Sequence, residues 1–225
     1  MSRLHVFDMD GTLLRGAASV ELSRHLGTFE TANAVEEAWL RGEISDVGFW
    51  ERVLPLWAGV SEEEIDRAFE AAPWIEGIAE VFADISARGE HSAVISQSPL
   101  FFVRRLERWG AGATFGAGVE PGGRSGEDLL LTVQHKVDIT AGLLDDLRLC
   151  PDDCVAYGDS TSDVMLFEWL PHSVAVNAGP AVRHIATAVY DGPDLRGAYA
   201  LGRKLLETGS PDGRGACLGA GEARA

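Results

Sequence analysis

The stretch HVFDMDGTLL places two carboxylates, Asp8 and Asp10, directly after the apolar run Leu4 to Phe7, with Gly11 and Thr12 next. A buried strand rarely ends in two acids for structural reasons alone. Charges at a strand end usually meet a ligand, a metal or solvent. A carboxylate so placed can attack phosphorus and form an aspartyl-phosphate. A second carboxylic acid can protonate the leaving alcohol and then activate water. The transferring group is anionic, so the site needs a cation. Mg²⁺ suits it, held by one or two carboxylates, phosphate oxygens and water. A hydroxyl, a backbone N–H and a lysine can take the remaining phosphate oxygens. The sequence offers each part in Asp8, Asp10, Thr12, Ser96, Lys136, Asp159 and Asp163.

Taken singly, several of these have ordinary readings. Ser96 alone would be a turn or capping serine, and Asp163 a helix first-turn acid. Lys136 alone would be a surface lysine. It is one of only two lysines, with Lys204, in a chain that otherwise uses arginine. Arg cannot everywhere replace a compact ammonium, so the choice carries information.

What gives these residues weight is the order of the elements that carry them. Leu4 to Phe7 reads as a short buried strand, Ser92 to Ile95 as a second and Cys154 to Tyr157 as a third. Ser173 to Val176 and Thr187 to Tyr190 are further short strands. Helical patterns lie between them: about 17 to 88, PLFFVRRLERWG, Lys136 to Leu147, SDVMLFEWL and LRGAYALGRKLLE. SEEEIDRAFEAA opens with Ser61 and an acid three residues on, a capping-box arrangement. Strands alternating with helices imply a parallel sheet with right-handed crossovers, whose ligands bind at the C-terminal strand ends. DMDGT, SQS and GDSTSD all fall there. The helical stretch between the first two strands is too long for one crossover and reads as an inserted cap. The expected organisation is a core of residues 1–16 and 89–207, a helical cap of 17–88 and a flexible tail of 208–225. In the cap, Trp39, Phe49, Trp50, Trp57 and Trp74 recur at helical spacing, which reads as core packing.

The formal net charge of -16 argues against nucleic acid or an anionic membrane surface as partner. An anionic substrate then needs local positive charge. No run approaches the roughly 18 apolar residues of a membrane span, and the N-terminus has no secretion-signal pattern. A cytoplasmic setting is the expectation, and oligomeric state is not legible.

These motifs resemble the haloacid dehalogenase superfamily, in its phosphoserine-phosphatase-like branch. The hydrophobic strand with DxDGT is present as FDMDGT, the strand ending in Ser or Thr as AVISQS, the lysine motif as HKVDI, and GDxxxD as YGDSTSD. The resemblance spans about residues 4 to 178. It implies an α/β fold, a Rossmann-like parallel sheet core with an inserted helical cap of the first (C1) type. It implies an Mg²⁺-dependent phosphatase of a small phosphorylated metabolite. By the resemblance Asp8 would be nucleophile and metal ligand. Asp10 would be general acid/base, with its carbonyl on the metal, and Thr12 would help position it. Ser96, and Gln97 through its N–H, would hold phosphate. Lys136 would neutralise phosphate and Asp8, Asp159 would ligate the metal and Asp163 support it. Arg52 sits about where the cap of this branch binds a substrate carboxylate. The branch also has an acid shortly after the first motif to hold the substrate ammonium. RGAAS has none, with Arg15 and Ala17 there and Glu21 nearest, and Ser162 stands where Asn is usual. Both departures point away from phosphoserine. Phosphotransfer on the same fold is the alternative reading. A phospho-accepting receiver module fits less well, because such modules lack the cap and DxDGT.

Overall fold

A computed structural model describes residues 2–208 of the chain. Six strands form one parallel sheet: β1 Leu4–Phe7, β2 His91–Pro99, β3 Ala113–Ala117, β4 Cys154–Gly158, β5 Ser173–Val176 and β6 Ala188–Tyr190. Their order is β3-β2-β1-β4-β5-β6. β1 lies in the middle, in register with β2 through Phe7 and Val94 and with β4 through Phe7 and Tyr157. The sheet reverses direction of travel between β1 and β4, and the crevice at such a switch point is where parallel α/β sheets bind ligands.

Alternation along the strands assigns side chains to two cores. Leu4, Val6, Ala93, Ile95, Cys154 and Ala156 face one layer, which contains Leu144 of the helix α7 described below. Phe7, Val94, Val155, Tyr157 and Val174 face the other. There the Phe7 and Tyr157 rings stack at 4.4 Å, with Phe82 edge-on to Phe7 at 5.5 Å.

The helices follow in chain order. α1 (Ala18–His25), α2 (Phe29–Leu40), α3 (Asp46–Val53) and α4 (Glu62–Ala71) lie between β1 and β2, followed by α5 (Ile78–Ala87). The expected capping box opens α4, with the Ser61 hydroxyl accepting from the Glu64 N–H. α5 falls inside the 17–88 stretch, yet it packs on β2 and on α10 (Leu195–Thr208) in the layer that covers the sheet. Helical periodicity alone does not distinguish a cap helix from a sheet helix. Of the tail expected over 208–225, Thr208 closes α10, and 209–225 lie outside the described residues. The remaining helices are α6 (Leu100–Val103), α7 (Val133–Leu147), α8 (Val164–Trp169) and α9 (Pro180–Arg183).

The two chain crossings that join α1–α4 to the sheet are tied together. The Arg15 N–H donates to Pro73 O at 3.0 Å and the Ile75 N–H to Leu13 O at 2.8 Å. Phe49, Trp50 and Trp57 are buried, with Trp39 packed against Phe49 and Trp74 against Phe69 and Phe102. Trp57 lies edge-on to Phe101 and Phe69 against Phe102, so α1–α4 share apolar surface with α6. Arg105, 3% exposed, donates to Glu62 and Asp66 of α4, each at 2.6 Å. Its acid partners keep contact with solvent, Glu62 at 69% and Asp66 at 32% exposed, so water screens these pairs.

Candidate active site

The C-terminal ends of β1 and β4 and the first turns of α7 build the site. The β1 ladder continues one residue past the strand, where the Asp8 N–H donates to Tyr157 O at 2.9 Å. This fixes Asp8 over the switch point. Gly11 then turns the chain in the left-handed region, at φ 82°, where a Cβ would collide with the Asp159 carboxylate. Gly158 likewise has no room for a side chain, because Asp163 fills that space. Both glycines allow close approach of backbone to acid.

Lys136 stands one turn into α7. The helix is started by Thr132, whose hydroxyl accepts from the His135 N–H while His135 Nδ1 accepts from the Thr132 N–H. Lys136 is 1% exposed, and its Nζ donates to Asp8 Oδ1 at 2.7 Å, Asp163 Oδ1 at 2.7 Å and Ser162 Oγ at 3.1 Å. An ammonium has three donors, and all three are used. Asp163 Oδ2 accepts from the N–H groups of Asp159 and Ser160 at 3.1 and 3.3 Å. Carboxylate oxygens of Asp8, Asp159 and Asp163 lie within 4.8 Å of one another.

Asp10 is in a different environment. Its Oδ1 accepts from the Ala18 N–H at 2.8 Å. Its Oδ2 accepts from Ser98 Oγ at 2.5 Å and Ser96 Oγ at 3.3 Å. The carboxylate therefore takes no part in the Asp8–Asp159–Asp163 cluster, and any metal contact by Asp10 is left to its backbone carbonyl.

Electrostatics separate the acids further. Burial lifts Asp8 well above the usual carboxylate range. Lys136 opposes the rise, while Asp163, Asp159 and Asp10 add to it. Burial also raises Asp10, and the bonds from Ser98, Ala18 and Ser96 pull it back. Asp159 is pushed up to about 7 by burial and by Asp163, against the bond from Thr12. Burial works against the Lys136 ammonium, but Asp163 and Asp8 outweigh it and hold the lysine above its ordinary value. Crowded carboxylates with raised values mark a place where a cation would relieve repulsion. The donor set is all hard oxygen on two or three carboxylates, which fits Mg²⁺.

Among the residues picked out from sequence, Asp8, Lys136, Asp159 and Asp163 converge. Ser96 reaches Asp10. Thr12, expected to position Asp10, instead donates to Asp159 Oδ1 at 3.1 Å. The left-handed turn at Gly11 carries it toward β4. The Gln97 side chain donates to Leu131 O at 3.0 Å, tying β2 to the loop before α7. Arg52 is exposed on α3 and donates to Gly48 O within its own helix. It lines an open cavity of about 590 Å³ with Glu30, Thr31, Ala34, Val35, Ala38 and Ile44. Among the described residues no hydrogen bond or ion pair links it to the acids. Ser98 and the Ala18 N–H were not anticipated. Residues two apart on a strand share a face, and that spacing relates Ser98 to Ser96.

A family model for haloacid dehalogenase-like hydrolases matches residues 5–168. The chain belongs to that family. It is 30% identical over 199 residues to a phosphoserine phosphatase of Albidiferax ferrireducens, covering 82% of each chain. It is 27% identical over 204 residues to a phosphoserine phosphatase of Archaeoglobus fulgidus, covering 88% of this chain but 59% of that one. The chain thus spans less than two thirds of that relative's length. A solved substrate-bound phosphoserine phosphatase complex shares the fold, with TM-score 0.72 at 22% identity over 88% of this chain and 96% of that one. No helix among the described residues is long and apolar enough to cross a membrane.

Proposed function

We propose that the protein is an Mg²⁺-dependent phosphomonoesterase that acts on a small phosphorylated metabolite through an aspartyl-phosphate on Asp8. The observation that carries this reading is the split between the two acids after β1. Asp8 is clasped by Lys136 at one oxygen, and among the described residues its other oxygen accepts no hydrogen bond. Asp10 is held apart by hydroxyls and a backbone N–H. Two carboxyls in two environments suit two roles.

Asp8 Oδ2 attacks phosphorus and the ester P–O bond breaks, while Asp10 gives its proton to the departing oxygen. Asp10, now ionised, takes a proton from water, whose oxygen attacks the same phosphorus. The P–O bond to Asp8 then breaks, and phosphate leaves with both acids restored. Lys136 offsets negative charge on Asp8 and the transferring group throughout. Asp163 holds Lys136 and the loop after β4, and Thr12 holds Asp159. Asp8 and Asp159, with the Asp10 carbonyl, would hold Mg²⁺, which when bound neutralises charge on the phosphoryl oxygens. Helices α1–α4 form the cap over this crevice, with α5 part of the core.

A phosphate-release screen across phosphorylated metabolites, phosphoserine included, tests the reading with Mg²⁺ and with a chelator. Sustained turnover that needs Mg²⁺ is the expected result. Stoichiometric phosphorylation without turnover, or release of no phosphate from any ester, would overturn it.

A further inference from the structure

Lys136 meets Asp8 only if α7 starts in the right place, and the segment that leads into α7 is rich in glycine. Residues 118–132 include Gly118, Gly122, Gly123 and Gly126, and glycine leaves the backbone free to adopt many conformations. Much of its hydrogen bonding is internal: the Gly118 N–H donates to Leu129 O at 2.7 Å, the Gly123 N–H to Glu120 O at 2.9 Å and the Leu129 N–H to Gly126 O at 3.0 Å. Among the described residues two bonds link it to distant parts of the chain: the Gly122 N–H donates to Leu54 O of the cap at 2.8 Å, and Gln97 Nε2 donates to Leu131 O at 3.0 Å. The second of these falls one residue before Thr132, whose hydroxyl caps α7.

The aim of Gln97 has a local cause. β2 departs from regular register with β3 between Ile95 and Pro99, and irregularities of this kind re-aim side chains beside active sites. Ser96 and Ser98 turn to Asp10, while Gln97 between them turns to the start of α7. One short stretch of β2 thereby braces the acid on one side and the approach to the lysine on the other. The brace matters most during turnover. In the resting site Asp8, Asp163 and Ser162 hold the Lys136 ammonium. Once Asp8 is bonded to phosphorus its charge falls and its hold on Nζ weakens, so the ammonium then depends on the backbone that carries it. A small misplacement of a charge beside the reacting atoms is costly in rate.

We propose that Gln97 is a positioning residue: its side-chain amide pins Leu131, fixes the first turn of α7 and so keeps Lys136 on the transferring phosphoryl group. This deepens the phosphomonoesterase reading and rests on it. The role is separate from the phosphate contact that the resemblance gives to the Gln97 backbone N–H, which a side-chain substitution leaves in place.

Gln97→Met keeps the length of the side chain and removes the donor. Gln97→Glu keeps a polar end that, when ionised, has nothing to donate. Both are compared with wild type and with Ser98→Ala, which disturbs Asp10 and not α7; thermal melts verify the folds. With Mg²⁺ and p-nitrophenyl phosphate, kcat should fall about tenfold in both Gln97 variants, with KM within about twofold of wild type. The second readout needs no turnover. Lys136 and Lys204 are the only lysines, so brief amine acetylation followed by peptide mass analysis gives the labelling of Lys136 relative to the exposed Lys204. Lys136 is 1% exposed, so the wild-type ratio is low. It should rise by about threefold or more in both Gln97 variants and stay at the wild-type value in Ser98→Ala. An unchanged kcat in the Gln97 variants overturns the assignment. A lower kcat with an unchanged labelling ratio also overturns it, because the effect then does not pass through Lys136. If wild type hydrolyses no ester, the phosphomonoesterase reading fails, and the labelling ratio alone decides whether Gln97 places Lys136.

Discussion

Replacing Lys136 by methionine keeps most of the side-chain stem and removes the ammonium. The wild-type Nζ is bonded to Asp8 and Asp163, both at 2.7 Å, in a site where all three side chains are buried. Without it two buried carboxylates face each other, with Asp159 nearby. Removing one partner from a buried ion pair costs about 3–5 kcal/mol. At about 2–4 °C per kcal/mol for a domain of this size, Tm should fall by about 6–20 °C at pH 8. The pH dependence is the sharper test. Asp8 already sits above the usual carboxylate range because burial disfavours its charge, and Lys136 is the group that opposes the rise. In Lys136→Met its value climbs further, so it binds a proton in the folded state at a pH where the unfolded chain does not. Stability of the variant then falls as pH rises through that window. The Tm deficit against wild type should therefore be small at pH 5 and large at pH 8. Melts by circular dichroism in a chelating buffer read this directly. A deficit below about 2 °C at pH 8, or one independent of pH, would refute the charge argument. Turnover should fall by about a hundredfold or more under all conditions.

Ser98→Ala removes the 2.5 Å bond to Asp10 and should lower kcat about tenfold, with KM little changed; Ser98→Thr should recover part of the loss. Gly11→Ala places a methyl against Asp159 at a φ of 82°, and should cost at least about 1–2 kcal/mol in denaturant unfolding and most of the activity. In metal-free wild type, Asp159 is raised to about 7, so its ionisation between the ordinary carboxylate value and pH 7 weakens the fold. Added Mg²⁺ should consequently raise Tm more at pH 8 than at pH 5.5; equal shifts at both would argue against Asp159 as a ligand.

Asp8, Asp159, Lys136 and Asp163 were legible because each position follows from a strand end or a first helix turn, and parallel sheets bring such ends together. Ser98 was not, because β2 read as ending at Ile95. The strand runs on to Pro99 and carries Ser96 and Ser98 on one face toward Asp10. The resemblance gives Thr12 to Asp10, but the Gly11 turn delivers it to Asp159. The role of α5 was hidden because an amphipathic helix shows that it is buried but not against which layer.

The central claim is that Asp8 carries the phosphoryl group and Asp10 does not. Rapid acid quench during turnover, followed by peptide mapping, tests this most directly. One phosphoryl group should appear on Asp8, decay at the rate of phosphate release, and be absent in Asp8→Asn. Phosphorylation of Ser96 or Asp10 instead, or turnover that persists in a folded Asp8→Asn protein, would contradict the account.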